Sequence, residues 1–347
     1  FFRYDPDSTP DKVITYPNGS VELKDELLDV DMSIPTELLV LTVGLQPVEE
    51  NVSMQLRASR SEDGFLLERH PKLGPAEAPS PGIYLAGTVQ YPKDVRESIA
   101  QGLAAAAKAG LILSRDTIEK EPITAQLLED KCIVCGICAP ACPFGAIELI
   151  GKVKEGTMEF HEAACMGCGN CAAVCNYDAV VMPYFTKEQV LAQIDAALAE
   201  RPQEKVLTFV CNWCSYPGAD QAGVEKLQYP PSARLIRTMC SARLEEEFIA
   251  RAFDKGAGVV LVTGCHLTEK GSDCHYNYAN EHTLKRFKLW QRKFGRQGID
   301  PERLQLHWNS ASEGKEWAAK MHEMHEVVQK HARKLAEGVA SGEPASK

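Results

Sequence analysis

Long apolar runs are missing from these 347 residues. The nearest candidate, residues 102–113, contains Lys108 and is shorter than the ~18 residues a membrane span requires. No direct membrane span is therefore expected. A basic excess is missing too: 38 Lys and Arg face 48 Asp and Glu, a net charge of −10. A nucleic-acid partner needs a basic footprint and is excluded on that ground. No signal peptide opens the chain, which begins Phe1-Phe2-Arg3-Tyr4 and reads as the middle of a longer polypeptide. Its thirteen cysteines are then expected in a reducing, cytoplasmic compartment, as metal or redox groups instead of disulfides. No G-x-G-x-x-G follows a strand, so the chain has no complete dinucleotide site of its own. Nor is there a nucleophile–base pair or a paired-carboxylate site, so no catalytic residue is nominated.

What is present is cysteine in two copies of one spacing. Cys132, Cys135, Cys138 and Cys142 form the first C-x2-C-x2-C-x3-C run, followed by Pro143. Cys165, Cys168, Cys171 and Cys175 form the second, followed by Asn176. This is the spacing of bacterial-type ferredoxins with two 4Fe–4S clusters, in which the fourth cysteine of each run serves the other cluster. One cluster is expected on Cys132, Cys135, Cys138 and Cys175, the other on Cys165, Cys168, Cys171 and Cys142. Zinc knuckles and disulfides are the alternatives, but zinc sites do not need the third and fourth cysteines at these offsets. A hairpin built from residues 146–150 and 152–160 would connect the two halves. The ferredoxin domain is assigned to 119–185, and a helix over 187–200 would serve as a linker within 186–204.

Residues 205–338 alternate strands with helices and so predict a parallel α/β sheet. The strands are read at 205–210, 233–237, 258–263 and 303–308. The helices are read at 219–228, 244–255, 280–296 and 313–337. The remaining five cysteines, Cys211, Cys214, Cys240, Cys265 and Cys274, follow the first three strands. Carboxyl ends of neighbouring strands converge on one crevice, so the five can hold one metal group with one thiol to spare. The order of preference as ligands is Cys214, Cys240, Cys274, Cys211 and then Cys265. A zinc site and a thioredoxin-like dithiol at Cys211 and Cys214 are the competing readings. His266 and His275 are read as neighbours that hydrogen-bond sulfur or face solvent, and Trp213 as a cover that limits water access. The last helix carries Met321, His322, Met324, His325 and His331. It reads as a solvated helix against a partner, with a copper site as the lesser alternative. The tail 339–347 reads as disordered.

This segment resembles the delta subunit of methyl-viologen-reducing hydrogenase and its formate-dehydrogenase-linked relatives. The resemblance rests on Cys211-Asn212-Trp213-Cys214, Arg237-Thr238-Met239-Cys240-Ser241, Gly264-Cys265-His266 and Asp273-Cys274-His275-Tyr276. It implies a 2Fe–2S cluster. In residues 1–118, apolar runs at 37–44 and 82–87 read as buried parallel strands. A Gly- and Ala-rich helix at 95–113 follows, with Lys93-Asp94 at its start, where amides favour an anionic group. Here the chain resembles the C-terminal part of the heterodisulfide reductase A protein, a flavoprotein with two dinucleotide-binding domains. The residues that carry this likeness are Leu41-Thr42-Val43-Gly44-Leu45-Gln46-Pro47, Gly82-Ile83-Tyr84-Leu85-Ala86-Gly87 and Pro92-Lys93-Asp94. By resemblance Gly87, Thr88, Lys93, Asp94, Ser98 and Gln101 would line an FAD, whose site another polypeptide or a preceding segment completes. Thr88 stands where many relatives have Asp.

The fold class expected is thus α/β and α+β multidomain: a partial FAD domain, a dicluster ferredoxin and a parallel α/β domain. The function implied is an oxidoreductase subunit that relays electrons between a 2Fe–2S group, FAD and two 4Fe–4S clusters. Implied partners are the other flavoprotein half, heterodisulfide-reductase-like B and C subunits, and a hydrogenase or formate dehydrogenase, with electron bifurcation at the flavin. Membership of the quinone-interacting complex of sulfate reducers is the alternative, and a non-redox scaffold with structural zinc is the alternative of another class.

Overall fold

A computed structural model describes residues 19–25, 29–40, 44–48, 56, 58, 60–61, 63–69, 74–117, 119–267 and 272–341, with side chains to 333. The chain forms two compact units, Phe1–Gln46 and Pro47–Lys347. In the first, β1 (Ser20–Asp25) and β2 (Val30–Pro35) pair antiparallel, from Ser20 opposite Pro35 to Asp25 opposite Val30. The parallel strand expected at 37–44 is not found at 37–40 or 44, and 41–43 lie outside the described residues. Leu38 and Val40 are 76% and 75% exposed. A buried parallel strand needs neighbours on both edges and cover on both faces, and the described part of this unit supplies only the hairpin.

In the second unit, residues 82–87 also depart from the expected strand. Their backbone folds back on the segment just before it: Ala78 donates to Ile83 and Leu85 to Ala76, at 3.0 and 2.9 Å. The local partner takes the hydrogen bonds that a parallel neighbour would have taken. Helix α1 (Val95–Leu113) forms as expected. Asp94 caps it by accepting from the Glu97 amide at 2.7 Å, while the Glu97 carboxylate accepts from the Asp94 amide at 3.2 Å.

The ferredoxin segment shows an approximate internal symmetry. Strand β3 (Gln126–Leu127) pairs with the later β6 (Val180–Val181), and β4 (Ile147–Ile150) pairs with β5 (Thr157–Phe160), both antiparallel. Between the strands lie two single-turn helices, α2 (Cys138–Ala141) and α3 (Asn170–Ala173). Each carries a cysteine of its run. A small core of Ala125, Ala146, Ile147, Met158, Val180, Met182 and Phe185 fills the centre.

The α/β part is a four-stranded parallel sheet. Its strands are β7 (Val206–Cys211), β8 (Ala233–Thr238), β9 (Val259–Gly264) and β10 (Leu304–Trp308), in the order β10-β9-β7-β8. Strands β7 and β9 are buried at every residue, which is why they read as unbroken apolar runs. The helices are α4 (Lys187–Ala197), α5 (Ser215–Val224), α6 (Glu246–Asp254), α7 (Ala279–Arg296) and α8 (Gly314–Ser341). On one face α4, α6 and α7 pack Ile194, Phe248, Phe287 and Trp290 against Phe209 and Val262. On the other, α5 and α8 pack Ala222, Trp317, Met321 and Met324 against Val206 and Leu261.

Two expectations change here. Helix α4, read as a linker, contributes Val190 and Ile194 to the core with no exposed surface. Helix α8, read as facing a partner, covers its own sheet and buries the two methionines. Its His322 Nε2 lies 3.0 Å from the Gln228 carbonyl, and His325 Nδ1 lies 3.0 Å from Ser232 Oγ. That geometry gives the copper reading no methionine sulfur at the surface. The tail from 342 onward lies outside the described residues.

A core role for α4 has a measurable consequence. Ile194→Ala should cost about 2–5 kcal/mol and lower the melting temperature of the α/β part. The exposed control Gln193→Ala should stay within about 0.5 kcal/mol. Equal and small effects in calorimetry would mean that α4 is only a connector.

Candidate metal centres

The cysteine runs curl because residues inside them adopt left-handed backbone conformations. Val134, Gly136, Gly167 and Gly169 have φ of 55°, 77°, 75° and 79°. Two of these glycines are also required by space. A Cβ on Gly167 would stand 2.3 Å from the Ile123 carbonyl oxygen, and one on Gly169 would stand 2.5 Å from Cδ of Arg243. The curls create two cavities. Cys132, Cys135, Cys138 and Cys175 line one, and Cys142, Cys165, Cys168 and Cys171 line the other. The fourth cysteine of each run has crossed to its neighbour.

Amides point at the sulfurs. Val134 donates to Cys132 at 3.4 Å, and Ala125, Ala146 and Ala179 donate to Cys165, Cys142 and Cys175 at 3.3 Å. Ala146 and Ala179 both lie four residues after the last cysteine of a run. Asn176 therefore supports the same turn as Pro143. Burial pushes the Cys138 thiol up to about 11 and Cys168 up to about 12, so each needs a bound cation to become a thiolate. Four soft sulfurs per cavity, with amide donors behind them, fit a cubane iron–sulfur group.

The third set of cysteines assembles from distant parts of the chain. Cys211 ends β7, Cys214 immediately precedes α5, Cys240 follows β8, Cys265 follows β9, and Cys274 lies shortly before α7. Sγ atoms of Cys211 and Cys265 are 3.8 Å apart, and those of Cys211, Cys214 and Cys265 lie within 4.8 Å of one another. Cys274 is within hydrogen-bonding range of Cys240 and Cys265. All are buried except the half-buried Cys214. Hydrogen bonds from Cys214 and Cys265 hold the Cys211 thiol well below its ordinary value, and those from Cys240 and Cys265 do the same for Cys274. The donor set fits an iron–sulfur group and also satisfies the thiolate preference of zinc.

Neither histidine joins the sulfurs. His266 pairs with Glu313 at 2.7 Å. His275 stacks on Trp213, with ring centroids 3.8 Å apart, and burial lowers it to about 4, leaving a neutral ring. Trp213 Nε1 donates to Tyr276 Oη at 2.8 Å and so fixes an aromatic cover, with Trp213 itself 39% exposed.

Residues that the sequence did not single out hold this site in place. Asn280, fully buried, donates to the carbonyls of Cys265 and His266 at 3.0 and 2.8 Å and accepts from Ser272 Oγ at 2.5 Å. Its sequence signal was a polar residue in the apolar stripe that continues through Phe287, Trp290 and Phe294. Arg286 donates from Nη1 to Asn170 Oδ1 at 2.8 Å and from Nη2 to the Ala242 carbonyl at 2.5 Å. It therefore ties α3 of the ferredoxin segment to the loop after β8. Phe144 meets Tyr276 edge-on at 6.3 Å, and Arg243 donates twice to the Phe185 carbonyl. Across this contact Cys168 shares one buried cluster with Cys211, Cys240, Cys265 and Cys274.

The six residues nominated for a flavin gather at the start of α1. Gly87 lies beside Ser98, Ser98 Oγ donates to the Asp94 carbonyl at 2.7 Å, and Lys93 donates to Gln90 at 3.2 Å. Gln101 also donates to Gln90, a buried residue that sequence reasoning missed and that donates to Glu68 at 2.8 Å. Thr88 and Asp94 are exposed, and the Asp94 carboxylate is occupied by the helix cap.

Comparison with known proteins bears on the two cysteine-bearing parts. Residues 206–331 match the family described as methyl-viologen-reducing hydrogenase, delta subunit. Residues 131–179 match the 4Fe-4S dicluster domain. The A protein of ferredoxin:CoB-CoM heterodisulfide reductase from Methanosarcina mazei is 41% identical over 285 residues, 81% of this chain and 35% of that protein. The chain belongs to the heterodisulfide reductase A-like proteins. Within this family it carries a fused hydrogenase delta-type module. The A protein of ferredoxin/F(420)H(2)-dependent CoB-CoM heterodisulfide reductase from Methanosarcina acetivorans is 42% identical over 83% of this chain and 36% of its own length. The iron-sulfur D protein of the vhc F420-non-reducing hydrogenase from Methanococcus voltae is 42% identical over 131 residues, 38% of this chain and 88% of that protein. The chain spans about a third of the length of the two heterodisulfide reductase relatives. Among the described residues, no helix is long and apolar enough to cross a membrane.

Arg286, with Arg243, binds across the contact between the two sulfur sets. Burial lowers it to about 10, opposed by the negative charge of Cys240 and Cys168, so it is charged at neutral pH. In this heterodisulfide reductase A-like chain, Arg286→Met should lower the midpoint potentials of the groups on both sides, because the charge that favours their reduced forms is lost. Redox titration followed by EPR checks it, and potentials that stay put would show that Arg286 acts only as a tether.

Proposed function

We propose that this chain is the relay portion of a heterodisulfide reductase A-like protein, conducting electrons among three iron–sulfur groups and a flavin. The observation that carries the reading is the burial of Cys168 together with the five-cysteine site. Cys138 and Cys171, from the two ferredoxin cavities, likewise share one buried cluster, which supports reading the three sulfur sets as one series. Bound there, iron–sulfur groups supply one-electron transfer. The chain's part is to fix the spacing, direct amides at sulfur, and keep water from the buried thiols.

On this reading the five-cysteine site holds a 2Fe–2S group, as the delta-type match suggests, and the ferredoxin cavities hold 4Fe–4S groups. The cluster of Gly87, Thr88, Lys93, Asp94, Ser98 and Gln101 is one wall of an FAD site that another part of the flavoprotein completes. The donor would be a hydrogenase or formate dehydrogenase, and the acceptors would be the flavin and heterodisulfide-reductase-like B and C subunits. A flavin takes up one or two electrons, so it can join such a series to two-electron chemistry, bifurcation included.

Metal analysis tests this directly. The chain, produced anaerobically, should contain about ten irons with matching sulfide, and dithionite should generate EPR signals from both cluster types. Zinc in place of about two irons would overturn the relay role of the C-terminal site. Purified with its flavoprotein partner, the complex should contain FAD. A flavin-free complex would remove the reading of residues 87–101.

A further inference from the structure

Residues 75–85 run as a strut between α1, which carries the proposed flavin wall, and the contact between the ferredoxin and α/β parts. Helix α1 holds one end. Gln101, one of the nominated flavin residues, donates to the Pro75 carbonyl at 3.4 Å. The Glu77 carboxylate pairs with Lys108 of α1 at 3.1 Å and with Arg69 at 3.3 Å. The middle is braced on itself by the bonds from Ala78 to Ile83 and from Leu85 to Ala76, and Ala76, Ala78 and Leu85 are buried. At the other end the buried Ser80 hydroxyl donates to Oδ1 of Asn277 at 3.2 Å.

Asn277 is 1% exposed and lies three residues after Cys274, with which it forms a backbone bridge. Its φ of 59° is a left-handed conformation that asparagine adopts more readily than most side chains. Its Nδ2 donates to the Pro143 carbonyl at 3.4 Å, and Pro143 directly follows Cys142. One amide side chain therefore touches the loop after Cys274, the loop after Cys142 and the strut that leads to Gly87. Displacing any of the three leaves a buried polar group without its partner, which is costly.

Building on the relay reading, we propose that Asn277 is a positioning residue that holds the flavin wall at a set distance from two of the sulfur sets, acting through Ser80 and the strut. A support of this kind sets geometry and leaves the chemistry of each group as it is. Electron transfer slows steeply with separation, so a loosened strut slows exchange with the flavin at unchanged midpoint potentials.

The test uses the chain in its flavoprotein complex, prepared anaerobically. Hydrogen exchange reads the strut, rapid-mixing absorbance reads electron exchange between the iron–sulfur groups and the flavin, and redox titration reads the potentials. Asn277→Gly tolerates the left-handed backbone and deletes both side-chain bonds. Ser80→Ala deletes one of them away from the cysteine loops, and Ser80→Thr keeps the hydroxyl. In Asn277→Gly and Ser80→Ala the amides of 76–85 should exchange about tenfold faster, as loss of a buried hydrogen bond implies. Electron exchange with the flavin should slow several-fold, with iron content and potentials unchanged, and Ser80→Thr should return towards wild type. Should Asn277→Gly lose iron, Ser80→Ala decides by the same readouts. Faster hydrogen exchange with an unchanged electron-exchange rate would overturn the positioning role, and so would shifted potentials or no change at all. A wild-type complex without flavin would instead refute the reading of residues 87–101 on which the proposal rests.

Discussion

Thiols gathered in a protein interior cannot all ionise, because each thiolate is costly to desolvate and repels its neighbours. That constraint governs residues 119–333. Thirteen cysteines collect in three buried or half-buried sets, and the surroundings are arranged so that a metal-bound, ionised state is favourable. Amides point at Cys132, Cys142, Cys165 and Cys175, and the Arg286 guanidinium feels the charge of both Cys168 and Cys240. The sheet contributes through its topology. Three parallel strands end at one edge, which gathers Cys211, Cys240 and Cys265 from well-separated stretches of chain.

The ferredoxin pattern was the most legible part, because its chemistry is local. The crossing of Cys142 and Cys175 follows from the spacing alone and appears in the cavities that line up behind them. The buried strands β7 and β9 were legible for a related reason: a fully covered strand must be apolar at every position. The helices and strands of the α/β part fell within a few residues of their expected positions. What could not be read was the choice between covered and uncovered faces. Helix α4 looked like a linker and α8 like a partner-facing helix, since a hydrophobic stripe does not say which surface will cover it. The same limit applies at 82–87, where an apolar run paired with the residues just before it instead of with a distant strand.

Arg286, Asn280 and Gln90 were missed because their partners are remote in sequence or their chemistry is unremarkable for their type. A charged residue in a helix reads as solvated until the fold places an amide from another domain within 2.8 Å of it, as Asn170 is here. Family resemblance supplied what periodicity could not: the expectation of a 2Fe–2S group at the five-cysteine site and of a flavin wall at the start of α1.

The contact between the ferredoxin segment and the sheet is tied on both sides of Cys168. Arg286 joins α3 to the loop after β8, and the Arg243 side chain lies against Gly169 and bonds the Phe185 carbonyl. Side chains from both parts thus set the separation of those two sulfur sets in the folded chain. On the relay reading, control over current would fall to the ends of the series, where a donor would arrive or a flavin would be seated.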